Sequence, residues 1–325
     1  MEYVKLGNTG MEVSKLCLGC MGFGEPERGR EKWSIGEAES REVIKKALDS
    51  GINFFDTANL YSAGSSEEIV GKALKDFANR DEIVLASKLY FPMFDGPNAK
   101  GLSRKSIFAE IDHSLKRLQT DYLDLYIIHR WDYGTPIEET MEALHDLVKM
   151  GKVRYIGASS MHAWQFAKAQ FTAEKNGWTK FVSMQNLYNL LYREEEREMI
   201  PLLQDQKVAM TPWSPLAGGR LTRDIGAITA RASQAVQADL PAYIVASDNE
   251  VISRVHKLAD ERGITRGQVA TAWMLSKDYV TAPLIGATKV NYLDDALGAF
   301  EVALSAEEIK YLEEAYVPRN ITGYR

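Results

Sequence analysis

Cysteine is nearly absent from this 325-residue chain: only Cys17 and Cys20 occur, so no disulfide framework holds the fold. Histidine is almost as scarce, and its five scattered copies show no metal-ligand spacing. No apolar run approaches the ~18 residues of a membrane span. The opening Met1-Glu2-Tyr3-Val4-Lys5-Leu6-Gly7 lacks the apolar core of a signal peptide. Basic residues are not in excess, since 39 Lys and Arg face 45 Asp and Glu for a net charge of -6. A nucleic-acid binder needs a basic face to displace counterions. No G-x-G-x-x-G opens a helix, and there is no phosphate loop. Cys17-Leu18-Gly19-Cys20 fits C-x-x-C, but it runs into Met21-Gly22-Phe23-Gly24 and does not open the helix that a redox pair needs. What remains is a cytoplasmic enzyme or small-molecule binding protein that engages neither nucleic acid nor membrane.

The chain does have apolar, β-branched runs separated by helical stretches. Leu16–Leu18, Ile52–Asp56, Glu82–Ser87, Tyr122–His129, Val153–Ser159, Phe181–Asn186, Val208–Pro212 and Thr281–Ile285 read as eight strands buried on both faces. Most start about 30 residues apart, the size of a β-α unit. In the helix predicted over Ser103–Leu118, Ile107, Ile111, Leu115 and Leu118 share one face, with Ser103 as N-cap. Thr135-Pro136 is expected to cap and open the next helix, which ends before Gly151. Glu194-Glu195-Glu196 reads as a solvated helix start. The pattern favours one closed (β/α)8 barrel spanning 1–325, with an N-terminal β-hairpin and long loops at the carboxyl face. An open doubly wound sheet is the alternative. Phe91–Lys100 and Arg223–Ser247 are the long loops, and both follow strands.

The strand ends carry chemistry. One run ends at Asp56, with Tyr61 just beyond; the next ends at Ser87-Lys88; the third ends at Ile128-His129-Arg130. In a barrel, the carboxyl ends of the strands gather on one face. A tyrosine hydroxyl is a poor acid near pH 7. An ammonium about 4 Å away favours the phenolate by about 4 kcal/mol at an effective dielectric near 20. Lys88, held by Asp56, would therefore tune Tyr61 as a general acid while His129 orients a carbonyl oxygen. Lys88 could instead form a Schiff base, as in a lyase; a neighbouring carboxylate, which keeps the amine protonated, counts against this.

Gly51-Ile52-Asn53-Phe54-Phe55-Asp56-Thr57-Ala58, with Tyr61 and Ser66-Glu67-Glu68, resembles the first signature of the aldo-keto reductases. Tyr122-Leu123-Asp124-Leu125-Tyr126-Ile127-Ile128-His129 resembles the second. The resemblance runs from Leu6-Gly7 through Pro318. It implies a (β/α)8 barrel, a nicotinamide cofactor, and the catalytic tetrad Asp56, Tyr61, Lys88 and His129. By the same resemblance, hydride passes to a carbonyl carbon while Tyr61 protonates the oxygen. A non-catalytic NADPH-binding regulatory subunit on the same fold is the rival reading.

The resemblance extends to the cofactor segments. Ser159, Ser160 and Gln185 resemble the carboxamide-binding set. Trp213-Ser214-Pro215-Leu216-Ala217 resembles the segment that stacks an aromatic face on the nicotinamide and wraps the pyrophosphate. Ile285, Gly286, Thr288 and Lys289 resemble the site for the adenosine 2′-phosphate, and a lysine beside a helix N-terminus favours a phosphate, hence NADPH. Tyr292 and Ala296 stand where many members carry Gln and Asn, while Asp295 keeps the usual acidic position. Arg220 and Arg223 are candidate pyrophosphate cations, and the turn at Gly22 lets the backbone approach the nicotinamide. Phe23, Tyr90, Arg130 and Trp131, with Trp33 and Tyr133, predict an aromatic pocket for a small carbonyl substrate.

Overall fold

The computed structural model describes residues 1–227 and 245–324. A hairpin of β1 (Tyr3–Lys5) and β2 (Glu12–Ser14) comes first. Eight parallel strands follow: β3 (Cys17–Gly19), β4 (Phe54–Asp56), β5 (Val84–Leu89), β6 (Leu123–Ile128), β7 (Val153–Ser159), β8 (Phe181–Gln185), β9 (Ala209–Met210) and β10 (Leu284–Gly286). Each of the first six pairs with the next, and β10 pairs with β3. Between β9 and β10 the ring closes where Thr281 N–H donates to the Met210 carbonyl at 2.8 Å and Leu284 N–H to that of Pro212 at 2.9 Å. The fold is a (β/α)8 barrel.

The described residues include ten α-helices: α1 (Glu37–Asp49), α2 (Ser65–Phe77), α3 (Arg104–Leu118), α4 (Ile137–Lys149), α5 (Ala163–Asn176), α6 (Met199–Gln206), α7 (Asp248–Arg262), α8 (Arg266–Leu275), α9 (Val290–Gly298) and α10 (Ala306–Glu313). None is long and apolar enough to cross a membrane. Ser103 caps α3 by accepting from Ser106 N–H. Pro136, not Thr135, occupies the N-cap of α4, because Thr135 is drawn aside to donate its hydroxyl to Asp132.

Strand periodicity sorts side chains to the two faces. Cys17, Phe54, Val84, Ala86, Leu125, Ile127, Ala209 and Leu284 fill the barrel interior. Leu18, Phe55, Leu85, Tyr126, Ile128 and Met184 pack outward against helix residues such as Val43, Val70, Ile107 and Leu144. The hairpin plugs the amino end: Leu6 and Val13 join the interior cluster, and a methyl group at Gly7 would sit 2.7 Å from Ala209 N and 2.8 Å from Val182 O. Register slips between Ile156 and Gly157. There the missing side chain of Gly157 leaves space that the Ser183 hydroxyl occupies.

Several expected boundaries move. Glu82 belongs to a short turn, and its strand starts at Val84 and runs past Lys88 to Leu89. The first expected run moves by one residue to Cys17–Gly19, the second shortens to Phe54–Asp56 and the last becomes Leu284–Gly286. Of the expected long loop Arg223–Ser247, residues 228–244 lie outside the described residues. Cys17 and Cys20 are buried and unpaired, and burial followed by the Asp56 charge raises both thiol pKa values. Neither thiol therefore has the thiolate character redox chemistry needs.

Candidate active site

The same alternation delivers the polar groups. Two residues beyond inward-facing Phe54, Ala86 and Ile127 come Asp56, Lys88 and His129. All three therefore point into the barrel at its carboxyl end. Lys88 is 0% exposed and Asp56 1%. Lys88 Nζ donates to Asp56 Oδ1, to the Thr57 carbonyl at 2.8 Å and to Tyr61 Oη at 3.1 Å. Tyr61 opens a short turn, Tyr61–Gly64, in which Ser62 and Ala63 adopt left-handed φ values of 44° and 50°. Side chains other than glycine rarely adopt such values, and the Glu31 carboxylate steadies this turn by accepting from Ser62 N–H at 3.0 Å. The His129 ring meets Tyr61 edge-on at 5.9 Å, and Phe91 meets His129 at 5.1 Å.

Electrostatics in the cluster departs from the simple charge argument. Burial is the largest influence on Tyr61 and raises its pKa, while Lys88 pulls the other way without prevailing. The expectation of a tyrosine brought down toward neutrality is therefore corrected: desolvation of the phenolate outweighs the ammonium. Burial likewise raises Asp56 against the pull of Lys88. Burial also opposes the charge on Lys88, but Asp56 and Tyr61 together lift its pKa above the ordinary lysine value. His129 is pushed well below 6.5 by burial, then by Lys88 and Arg130, so its imidazole is neutral at pH 7.

A second set lies alongside and is joined to the first. Gln185 Nε2 donates to Asp56 Oδ2 at 2.9 Å. Ser159 Oγ donates to the Gln185 carbonyl at 2.7 Å, Ser160 N–H to Asn186 Oδ1 at 2.8 Å, and Trp213 Nε1–H to Ser160 Oγ at 3.2 Å. Beyond half-buried Trp213, Ser214, Ala217, Gly218 and Gly219 all have positive φ. Asn189 Nδ2 anchors this loop by donating to the Ser214 carbonyl at 2.9 Å. Pro215 is buried and Leu216 half-buried. Arg220 pairs with Asp248 at 2.7 Å, and Asp248 is gripped from the other side by Arg319; Arg223 is exposed.

The adjoining strands bring Gly22 beside Thr288, where a methyl on Gly22 would meet Thr288 Cγ2 at 2.9 Å and the Trp33 ring at 3.0 Å. Ile285 faces the helices; Gly286 is exposed, as is Lys289, the N-cap of α9, and Tyr292. Asp295 is half-buried. The aromatic residues do not form one pocket. Phe23 is fully buried in the core and Tyr133 is 70% exposed. Half-buried Tyr90 meets Phe91 edge-on at 5.2 Å, Arg130 donates to the His129 carbonyl at 2.7 Å, and Trp131 lies against Trp164 at 6.1 Å.

Some residues were missed by sequence reasoning. Asn186 was seen only as a strand end. Phe91 was seen only as part of a loop, although an aromatic directly after a catalytic-face strand is a usable signal. The expectation that Glu194-Glu195-Glu196 is solvated is overturned. They form a short turn in which Glu194 is 6% and Glu195 2% exposed, because Tyr316, Arg197, Asn186 and Tyr324 satisfy their oxygens.

A closed α/β barrel with a buried lysine–carboxylate pair against a tyrosine hydroxyl at its carboxyl end is the site of an enzyme. Residues 15–317 match the aldo/keto reductase family, and the chain belongs to that family, which makes it an NAD(P)H-dependent oxidoreductase. It is 46% identical to versiconal hemiacetal acetate reductase of Aspergillus parasiticus over 99% of this chain and 98% of the relative. It is 44% identical to an aldo-keto reductase of Alternaria alternata over 99% and 93%. A Schizosaccharomyces pombe protein provisionally named aryl-alcohol dehydrogenase is 47% identical over 99% and 97%.

Proposed function

We propose that the whole 1–325 chain works as one barrel that reduces aromatic and other apolar aldehydes or ketones to alcohols with NADPH. The observation that carries the reading is Lys88 Nζ lodged between Asp56 and the Tyr61 hydroxyl, 3.1 Å from the latter. When bound, the reduced nicotinamide supplies a hydride to the carbonyl carbon. Tyr61 Oη then gives its proton to the carbonyl oxygen, and the Lys88 ammonium stabilises the phenolate left behind. Asp56 keeps Lys88 charged and in place, and its other oxygen is held by Gln185. Neutral His129 offers a ring N–H to the same carbonyl oxygen. Because Lys88 stays protonated, it has no lone pair for a Schiff base, which disfavours the lyase reading.

The residues fit the cofactor. Trp213 presents a half-buried aromatic face, and the loop after it turns through four left-handed residues. A methyl placed on Gly218 or on Gly286 would have no atom within 4 Å, so the backbone there is open to close approach. Arg223 and Lys289 are exposed cations, and Lys289 caps a helix N-terminus, which supports NADPH over NADH. Arg220 is the weaker candidate, since Asp248 already engages it. Phe91 against His129, with Tyr90 packed on Phe91, supports an apolar, aromatic substrate, in keeping with the names of the relatives. The two unpaired thiols suit the reducing cytoplasm. The test is a panel of carbonyls with NADPH and with NADH, followed by cofactor absorbance. Aryl aldehydes are expected to turn over with NADPH, and Tyr61→Phe to lower kcat by roughly 10²–10⁴-fold. Undiminished turnover in Tyr61→Phe overturns the mechanism.

A further inference from the structure

The segment after α10 doubles back across the carboxyl end of the barrel. Tyr316 Oη and Arg319 N–H both donate to Glu194 Oε1, at 2.6 and 2.7 Å, and Thr322 N–H donates to Tyr192 Oη at 3.2 Å. A methyl group at Gly323 would lie 3.5 Å from Cζ2 of Trp213, so the segment abuts the indole. Tyr324, 8% exposed, donates its hydroxyl to Glu195 Oε1, and His162 packs edge-on to its ring at 4.8 Å. The other Glu195 oxygen accepts from Asn186 Nδ2.

We infer that Glu195, clasped by Tyr324, is a positioning residue for the cofactor: it sets the orientation of the Asn186 amide, and Asn186 in turn holds Ser160 and Trp213. The inference rests on the reading of this face as the nicotinamide site. An ionised carboxylate can only accept hydrogen bonds. The Asn186 NH₂ is therefore turned toward Glu195, and its carbonyl oxygen is left facing Ser160 N–H, where it accepts at 2.8 Å. Ser160 needs this support, because its φ of 51° is left-handed for a residue with a side chain. Ser160 Oγ then receives the Trp213 indole N–H at 3.2 Å. Four hydrogen bonds thus run from Tyr324 to the aromatic face beside the barrel mouth, and none of them touches the Asp56, Tyr61, Lys88 cluster. The titratable groups that face Glu195 are Tyr324, Tyr192 and Glu194. Burial, with a smaller push from Glu194, raises the Glu195 pKa to about 7 against the hydrogen bonds from Tyr324 and Asn186. Glu195 is therefore the accept-only carboxylate above that pH, and NADPH binding is measured there.

The chemistry supplies a reciprocal test. In Glu195→Gln the amide has one oxygen where two acceptors are needed. Either its NH₂ meets the Asn186 NH₂, and Asn186 must turn its oxygen away from Ser160, or it meets the Tyr324 hydroxyl and strands that proton. In Asn186→Asp two carboxylates collide. In the double variant Glu195→Gln/Asn186→Asp, the Gln NH₂ donates to one Asp oxygen, the other accepts from Ser160 N–H, and the Gln oxygen accepts from Tyr324. The measurements are NADPH Kd from quenching of tryptophan fluorescence, kcat at saturating NADPH, and melting temperature. Each single variant is expected to raise Kd roughly tenfold, with a much smaller change in kcat, and the double variant to restore Kd. Single variants that bind NADPH like the wild type overturn the inference, as does a double variant that binds no better than the singles. A wild-type protein that binds no NADPH overturns the functional reading, and this inference with it.

Discussion

Replacing Lys88 with methionine isolates the ammonium at similar side-chain length. In the folded protein Lys88 Nζ lies 3.1 Å from Tyr61 Oη. At that separation and an effective dielectric near 20, a full phenolate charge gains about 5 kcal/mol from the ammonium. Each 1.36 kcal/mol is tenfold in rate, so loss of this interaction lowers kcat by roughly 10⁴-fold. Stability suffers separately. Asp56, 1% exposed, is left as a buried carboxylate without its counter-charge, a change that costs ~3–5 kcal/mol. The double variant Lys88→Met/Asp56→Asn removes the stranded charge, so urea unfolding should show much of the stability recovered while kcat stays low. The pH profile supplies the sign. Lys88 pulls the Tyr61 pKa down against burial, so the alkaline limb, on which Tyr61 loses its proton, moves to higher pH in Lys88→Met. A Lys88→Met enzyme within tenfold of wild type, an unmoved alkaline limb, or a double variant that recovers its rate would each refute the reasoning.

Three further outcomes are expected. Lys289→Met should weaken NADPH binding selectively and leave NADH binding unchanged; equal losses for both would remove Lys289 from the 2′-phosphate site. His129 is held below its ordinary pKa by burial, Lys88 and Arg130, so the unfolded chain takes the proton first as pH falls. Stability from this group is complete above about pH 6.5 and drops below it by up to about 1.4 kcal/mol per pH unit. His129→Asn should flatten that slope in urea melts between pH 7.5 and 5, and identical slopes would dismiss the assignment. Gly71→Ala places a methyl 2.6 Å from Leu118 Cα, where α2 meets α3. It should cost ~1–3 kcal/mol without changing the NADPH Kd, and a neutral effect would mean that the helices slide apart freely.

The barrel was legible because its strands are buried on both faces and read as short continuous apolar runs. Asp56, Lys88 and His129 could be picked out because each stands at the end of such a run. Their boundaries were less legible: Lys88 sits inside β5, and Glu82 outside it, since apolar character alone does not register where the ladder bonds begin. Charge reasoning about Tyr61 failed in magnitude because the sequence does not reveal how completely the phenolate is stripped of water. The buried Glu195 was invisible for a stronger reason. Three consecutive glutamates look solvated, and the groups that satisfy them come partly from Tyr316 and Tyr324, more than a hundred residues away.

The hairpin that plugs the amino end gives the barrel a single doorway. With Leu6 and Val13 packed into the interior column, nothing can pass through the ring, so whatever reaches Tyr61 enters and departs by the carboxyl face. The two ends of the ring therefore answer to different demands: a substitution at the plugged end is felt as stability, and one at the open end as chemistry.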